Sequence, residues 1–284
     1  MPLKPVILSE RVKVKHVMRY PVAMIPYTNM APYRALGAPE GGYFISCVPA
    51  QSVHAIKVGE VVAAALPIGA MDDVADDVET LGPFGIGARD RSMSVLFFSK
   101  RPFYQMDAAS RIRVTEESAS SVRLLFMLLA ARNGADRLPH IAGPRGAIDG
   151  ELLIGDAALM KVNDAPHRHG YPHVTDLATE WYHSRGLPIV FARWVVRKDV
   201  PAFIREALDR WLGEFKTRES ELVERAIPPS AARLGVSESY IRKYFKVIRR
   251  VLDETDMAGQ AAFFSELERF QEHCQRKLKS NVAG

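Results

Sequence analysis

Serine hydroxyls are concentrated where strand-like segments pass into other elements. Ser118, Ser120 and Ser121 stand directly before a leucine-rich segment that ends at Asn133 and Gly134, and Ser94 opens a short apolar run. One serine is enough to cap a helix, so the others and the backbone N–H groups of the first turn can bind an anion. A helix cap followed by a polar turn explains the same residues without a ligand, and both interpretations stand.

Three further positions place polar side chains beside apolar segments. Tyr27, Thr28 and Asn29 form a polar turn after a strand-like segment, which is where open α/β sheets bind their ligands. Asp156 ends an apolar run and is expected to cap the helix that follows, although it could also face a cleft. Arg193 interrupts an apolar strand, where an arginine either reaches the sheet edge or holds an anion; we favour the anion.

Three of the eight histidines, His167, His169 and His173, fall in one loop with glycine and proline. No carboxylate or cysteine stands at a suitable spacing beside them, so we predict no metal site. The two cysteines are far apart in the sequence, which is typical of a reducing compartment.

Length and composition indicate a globular protein of about two domains or one two-lobed body. The chain has 284 residues, 48% of them hydrophobic, and a formal net charge of +5 that is not gathered in a basic block. This charge permits an acidic ligand without requiring nucleic acid. The longest apolar stretch, residues 61–71, contains Pro67 and Gly69 and is too short to cross a bilayer. The N-terminal apolar run is also too short for a signal peptide, and we predict a cytoplasmic protein.

The first half of the chain alternates strand-like and helix-like segments. Helices are predicted over residues 30–36 and 49–57, with a strand over 43–48 and a fully buried strand over 61–66. Acidic residues over 72–81 are typical of a solvated helix face. This alternation favours a parallel sheet covered on both faces.

The last third is predicted to be helical, with a break at Pro228 and Pro229. The following segment, with Gly235 in a turn and Ser237 as a cap, has the pattern of a helix-turn-helix, and basic residues follow it over 242–250. A DNA-binding regulator is therefore one alternative. Against it, Tyr244 and its neighbours form an apolar stripe that needs a core.

Several segments, in order, resemble the chorismate dehydratases of the futalosine route to menaquinone biosynthesis. The matching segments are Ile25-Pro26-Tyr27-Thr28-Asn29, Ser94-Val95-Leu96-Phe97-Phe98-Ser99-Lys100, Glu117-Ser118-Ala119-Ser120-Ser121-Val122, Leu152-Leu153-Ile154-Gly155-Asp156-Ala157-Ala158-Leu159, residues 176–181, residues 186–188, Phe191-Ala192-Arg193-Trp194 and Leu234-Gly235-Val236-Ser237. Each motif is unspecific alone, but their order covers nearly the whole chain. The resemblance also weakens the DNA-binding interpretation.

This resemblance implies a type-II periplasmic-binding-protein fold. It is an α/β fold with two lobes, mixed and mostly parallel sheets, and a ligand cleft between them. Residues 1–97 would form the first part of lobe 1, residues 98–189 lobe 2, and residues 190–284 the return to lobe 1 with the C-terminal helices. The chain would cross between lobes near residues 94–99 and 189–194.

The resemblance implies a lyase that removes water from chorismate to give 3-[(1-carboxyvinyl)oxy]benzoate without a cofactor. Asn29 would be the catalytic residue, orienting a reacting group by hydrogen bonding. The substrate-binding set would be Tyr27, Thr28, Ser94, Ser118, Ser120, Ser121, Asp156 and Arg193. The expected partner is a small carboxylate, with no nucleic acid or membrane, and the protein would be a monomer or homodimer.

Three departures from the family pattern keep other ligands open. The family usually has leucine at the position of Thr28, an acidic residue and serines around Gly69, and a small apolar residue at the position of Arg193. A related lyase with a different anionic substrate, or a non-catalytic binder of a small aromatic or dicarboxylate ligand, therefore remains an alternative.

Overall fold

Two β-sheets with helices packed around them form the protein. The structure is a computed structural model that describes residues 19–117, 119–143, 145–165, 167 and 170–282. The predicted substrate-binding residue Ser118 lies outside the described residues, as does His169 of the histidine loop. The α/β two-sheet architecture agrees with the predicted fold class.

The first sheet has six strands in the order β11-β4-β10-β3-β1-β2. They are β1 (Tyr20–Met24), β2 (Gly42–Ser46), β3 (Ala63–Pro67), β4 (Val78–Ala88), β10 (Ile189–Arg197) and β11 (Ile248–Val251). Strand β1 runs parallel to β2 and β3, whereas β10 is antiparallel to β3 and β4. The sheet is mixed because the returning strand β10 inserts between β3 and β4. Every residue of β3 is buried, which explains its continuous apolar sequence.

The prediction of a helix over residues 72–81 is wrong. A 3-10 turn over Asp72–Val74 contains two of the acidic residues, and the chain then extends as β4. Long-range pairing with β10 and β11 overrides the local pattern there, because extended geometry buries Leu81, Phe84 and Ile86 in the core.

The second sheet has five strands in the order β7-β6-β8-β5-β9. They are β5 (Val95–Ser99), β6 (Arg111–Arg113), β7 (His140–Ile141), β8 (Gly150–Ile154) and β9 (His173–Asp176). The helices of the chain are α1 (Ala31–Leu36), α2 (Pro49–Lys57), α3 (Ala119–Asn133), α4 (Gly155–Asn163), α5 (Leu177–Arg185), α6 (Ala202–Leu234), α7 (Glu238–Val247) and α8 (Glu254–Val282).

The crossings between the sheets differ in detail from the expected positions. The chain leaves the first sheet after Ala88 and enters the second at Val95, so the expected boundary at residue 97 falls inside β5. Helix α8 contacts both lobes. In the second lobe the rings of Phe263 and Trp181 lie 6.2 Å apart, and Gln260 accepts a hydrogen bond from Arg193 in β10 of the first sheet. Helices α6 and α7 pack against the first sheet.

The predicted break at Pro228 and Pro229 is wrong, because both prolines lie inside the 33-residue helix α6. Burial of Ile227 and Ala231 against the first sheet offsets the backbone bonds that the prolines remove. Helix α7 does begin at the predicted cap, Ser237, whose hydroxyl accepts the N–H of Tyr240.

In the segment predicted as a helix-turn-helix, three of the five basic residues over 242–250 are engaged within the chain: Arg242 pairs with Glu224, Arg249 pairs with Asp256, and Arg250 is buried.

The close contact between α8 and the loop before β10 generates a stability prediction. A Cβ at Gly259 would lie 2.0 Å from the carbonyl oxygen of Pro188, so Gly259→Ala must move α8. We expect a loss of about 1–3 kcal/mol in the free energy of unfolding, measured by denaturant titration. Gly213→Ala is the matched control. That glycine lies in exposed α6 with nothing within 4 Å, and alanine there should stabilise by about 0.5–1 kcal/mol. Equal stability of the two variants would contradict this packing.

Candidate active site

A cavity lies between the two lobes. It is lined by Ile25, Tyr27, Asn29, Pro49, Pro67, Ile86, Ser94, Val95, Ser121, Ile154, Gly155, Phe191, Ala192 and Ile248. Residues from both sheets contribute, and most side chains are apolar. None of the described lining residues carries a formal charge.

Three helices begin at this cavity. Helix α2 of the first lobe starts at Pro49, helix α4 of the second lobe starts at Gly155, and Ser121 lies in the first turn of α3. The N-terminal end of each helix carries a partial positive charge from its aligned peptide dipoles. The cavity is therefore electrostatically suited to anions although its lining side chains are neutral.

Asn29 lies in a 3-10 turn over Thr28–Met30 and lines the cavity. Its side-chain oxygen Oδ1 is buried and has no hydrogen-bond partner among the described residues. A buried acceptor without a partner is costly, so this atom is suited to a donor on a ligand.

Two arginines outside the predicted site residues hold the loop that carries Asn29. Arg34 donates to the carbonyl oxygens of Ile25 (2.7 Å) and Tyr27 (3.0 Å). The fully buried Arg250 donates through Nε to the carbonyl oxygen of Asn29 at 3.1 Å. Burial lowers the pKa of both guanidinium groups. No sequence motif marks either arginine, because both bind backbone oxygens. The partner of Arg250, Asn29, is also distant from it in the sequence.

Ser94 lines the cavity and is connected to a buried tyrosine. The hydroxyl of Tyr244 in α7 donates to Ser94 Oγ at 3.1 Å. Burial raises the pKa of Tyr244, which keeps this phenol protonated as a donor. Because Ser94 Oγ accepts from Tyr244, its own proton remains available to a group in the cavity.

Tyr27 joins the two lobes at the cavity wall. Its ring packs on Gly155, and its hydroxyl donates to the carboxylate of Glu117 in the loop before α3. Burial, and then the hydrogen bond to Glu117, raise the pKa of Tyr27. The phenol therefore acts as a hydrogen-bond donor and not as a base at neutral pH.

The two described serines at the start of α3 are used differently. Ser121 lines the cavity, whereas Ser120 is buried and its hydroxyl accepts the N–H of Gly69 at 2.8 Å. A Cβ at Gly69 would lie 2.9 Å from Ser120 Cα, so glycine is needed for this approach between lobes. The absence of a serine at position 69 thus has a packing cause.

Thr28 and Asp156 do not line the cavity. The buried hydroxyl of Thr28 accepts from Arg233 at 2.8 Å, and its backbone N–H donates to Asp156 at 2.8 Å. Asp156 is also paired with Arg233 at 2.7 Å. The expectation that Asp156 caps its helix is corrected, because α4 begins one residue earlier, at Gly155.

The expectation that Arg193 holds an anion in the cleft is also corrected. Its guanidinium donates to the carbonyl oxygens of Gly82 and Phe84 and to the side chain of Gln260. These partners lie away from the cavity, which Ala192 lines instead. The partners of Arg193 in β4 and α8 therefore hold its guanidinium away from the cavity.

Within the described part of the chain, no group of three or more histidine, cysteine, aspartate or glutamate side chains could hold a metal ion. No described helix is long and apolar enough to cross a membrane.

The fold is that of the periplasmic binding proteins. A Candida albicans protein, CA3427, described as having the generic periplasmic-binding-protein fold, superposes with a TM-score of 0.54 at 13% identity, covering 89% of this chain and 90% of that one. The alkanesulfonate-binding protein SsuA from Xanthomonas axonopodis pv. citri, solved with MOPS, gives 0.56 at 12% identity over 88% and 93% of the chains. Protein AF1704 from Archaeoglobus fulgidus gives 0.65 at 15% identity over 89% and 98%.

Sequence comparison defines the family within this fold. The profile of a family described as menaquinone biosynthesis matches residues 20–269. A chorismate dehydratase from Thermus thermophilus is 30% identical over 262 residues, which span 87% of this chain and 95% of the relative. The chain belongs to the menaquinone biosynthesis family.

The contact between Gly155 and Tyr27 generates a second prediction. Gly155 has a positive φ of 57°, and a Cβ there would lie 2.7 Å from the Tyr27 ring. Gly155→Ala should therefore lose about 2–4 kcal/mol of unfolding free energy, from backbone strain and the clash together.

Gly186→Ala is its control, because Gly186 has a φ of 67° but nothing within 4 Å. This variant should lose only about 1–2 kcal/mol from the backbone. Adding Tyr27→Ala to Gly155→Ala should cost less than the sum of the two single changes. Equal losses at both glycines would show that the Tyr27 ring does not press on Gly155.

Proposed function

We propose that this protein is a hydro-lyase that converts chorismate to 3-[(1-carboxyvinyl)oxy]benzoate and water in the futalosine route to menaquinone. The membership of the family and the 30% identical chorismate dehydratase support this reaction. The geometric observation that carries it is the cavity at which Asn29, Ser94 and Ser121 meet three helix N-termini. We further propose a cytoplasmic location, based on the cysteine usage described above.

The two carboxylates of chorismate bind at the helix N-termini. Helix dipoles and first-turn amides stabilise an anion without reorganising. The substrate carboxylates are then bound without pairing to a charged side chain. The side chains of Ser94 and Ser121 add hydroxyl donors at the same wall. The apolar lining residues, such as Phe191 and Ile86, exclude water from the ring.

Asn29 positions the reacting part of the ring. Its buried Oδ1 accepts a hydrogen bond from the ring hydroxyl, and the amide N–H₂ donates a hydrogen bond to the same oxygen as the C–O bond breaks. An amide is not a base, so it orients the group and does not remove the ring proton. Arg34 and Arg250 hold the Asn29 loop for this role.

Loss of the hydroxyl and of the neighbouring ring proton makes the ring aromatic, so the driving force is large. The ring C–H bond breaks, its electrons form the new ring double bond, and the hydroxyl leaves as water. The described lining residues include no carboxylate and no imidazole. A substrate carboxylate or a bound water therefore accepts the ring proton and passes it to the departing hydroxide, so that the C–O bond breaks and water leaves.

The primary experiment is incubation of the purified protein with chorismate and no added cofactor. We expect a product lighter by one water, identified by mass spectrometry, together with a new benzoate-type absorbance. Chorismate recovered intact at high protein concentration would contradict the proposal. Thermal stabilisation by a carboxylate that is not consumed would instead favour the non-catalytic binder.

Asn29→Ala tests the orienting role of the amide. We expect kcat/KM for chorismate to fall by about 10²- to 10³-fold, because a preorganised hydrogen-bonding group is lost, while the melting temperature is retained. Asn163→Ala, at an exposed position outside the cavity, is the matched control and should keep full activity. Near-normal turnover by Asn29→Ala would remove Asn29 from the mechanism.

Arg34→Lys tests the support of the loop. One ammonium group cannot reproduce the fork that reaches two carbonyl oxygens, so kcat/KM should fall by about tenfold. Arg197→Lys is the control, since Arg197 bonds the carbonyl oxygen of Ile56 at 2.7 Å at the other end of β10. Equal activities of the two lysine variants would contradict a specific role for Arg34.

A further inference from the structure

One charged network joins the two lobes directly beside Asn29. Asp156 lies in α4 of the second lobe, whereas Thr28 and Arg233 belong to the first lobe. Asp156 Oδ2 pairs with Arg233 Nη1 at 2.7 Å, and Asp156 Oδ1 accepts the Thr28 N–H at 2.8 Å. Arg233 Nη2 then donates to Thr28 Oγ1 at 2.8 Å, which closes a triangle of three hydrogen-bonded groups.

The other side-chain contacts described above between the lobes at the cavity have a different character. Ser120 accepts from Gly69, and Ser94 accepts from Tyr244, which are neutral pairs. Tyr27 donates to the exposed carboxylate of Glu117, which has no counter-charge in that pair. Asp156 and Arg233 bring opposite charges from the two lobes together, and charge-assisted pairs are the stronger class of hydrogen bond.

The network also acts on the turn that carries Asn29. The Thr28 N–H belongs to the peptide unit between Tyr27 and Thr28, one residue before Asn29. Its hydrogen bond to Asp156 therefore fixes the orientation of the backbone that leads into Asn29. Helix α4 starts at the cavity wall, where Gly155 contacts the Tyr27 ring. A hinge movement that opened the lobes would separate Asp156 from Thr28 and Arg233 together, and would release the Asn29 turn.

We propose that Asp156, Arg233 and Thr28 form an inter-lobe latch that couples closure of the cleft to the positioning of Asn29. Asp156 and Arg233 are positioning residues, because they act through Thr28 and do not line the cavity. The catalytic part of this inference rests on the proposed function; the closing part does not. The ion pair is partly open to solvent, with 46% of the Arg233 side chain exposed and 13% of that of Asp156, so salt should weaken it.

The test compares Asp156→Asn, Arg233→Ala and the double variant with the wild type. Asp156→Asn keeps an oxygen that can accept the Thr28 N–H but removes the charge. We expect each single change to lower kcat/KM for chorismate by five- to tenfold and to speed product dissociation in a stopped-flow chase. The double variant should fall no further than the larger single effect, because both changes remove one interaction.

Two further variants separate the latch from a general structural role. Arg233→Lys keeps the charge pair and should retain at least half of the wild-type kcat/KM. Arg132→Ala removes an ion pair with Glu180 that joins α3 and α5 inside the second lobe, at 3.0 Å. It should leave both the kinetics and the product dissociation rate unchanged.

Small-angle X-ray scattering of the ligand-free proteins gives a readout that needs no turnover. The radius of gyration should rise in Asp156→Asn and Arg233→Ala and stay unchanged in Arg132→Ala. Wild-type kinetics and an unchanged radius in both latch variants would overturn the proposal. If the wild type does not consume chorismate, the proposed function fails, and the scattering comparison still decides whether the latch exists.

Discussion

The convergence of three helix N-termini on one uncharged cavity is the interaction on which the rest of the structure depends. Helix α2 comes from the first lobe, whereas α3 and α4 come from the second. Their positive ends face the same space in this arrangement of the lobes. The close approaches at Gly69 and Gly155 follow from this requirement, because each glycine lets an element of one lobe reach the backbone or ring of the other.

Fixed dipoles have a chemical advantage over mobile cations at such a site. A helix N-terminus stabilises a carboxylate without a flexible side chain, and it does not need to be reorganised during the reaction. Three arginines with burial-lowered pKa values are consistent with this arrangement, because they bind backbone oxygens and none of them lines the cavity. Arg34 and Arg250 bind backbone oxygens of the Asn29 loop, and Arg193 binds those of Gly82 and Phe84. The positively charged side chains thus stabilise the backbone around the cavity, while the described residues that line it are neutral.

The sequence was most informative where local signals and tertiary structure agree. The bounds of α2 (Pro49–Lys57), the end of α3 at Asn133 and the cap at Ser237 follow from proline, glycine and serine signals, and the structure confirms them. Asn29 and Ser121 were predicted from separate turns, and the structure places both at one cavity.

Local patterns failed where distant partners decide the outcome. Strand β4 forms because β10 and β11 pair with it, and the acidic residues before it gave the opposite signal. Arg193 and Asp156 were read as ligand or cap residues because their partners, Gly82 and Arg233, cannot be inferred from spacing. The departures at Thr28, Gly69 and Arg193, which suggested another substrate, all have causes in packing or hydrogen bonding outside the cavity lining.

A crystal structure of the protein with 3-[(1-carboxyvinyl)oxy]benzoate bound would test the central claim most directly. The account predicts both product carboxylates at about 2.7–3.1 Å from first-turn amides or serine hydroxyls of α2, α3 and α4. It also predicts the Asn29 amide beside the ring carbon that carried the hydroxyl. A product carboxylate paired with an arginine guanidinium, or a product bound outside the cavity between the lobes, would contradict the account.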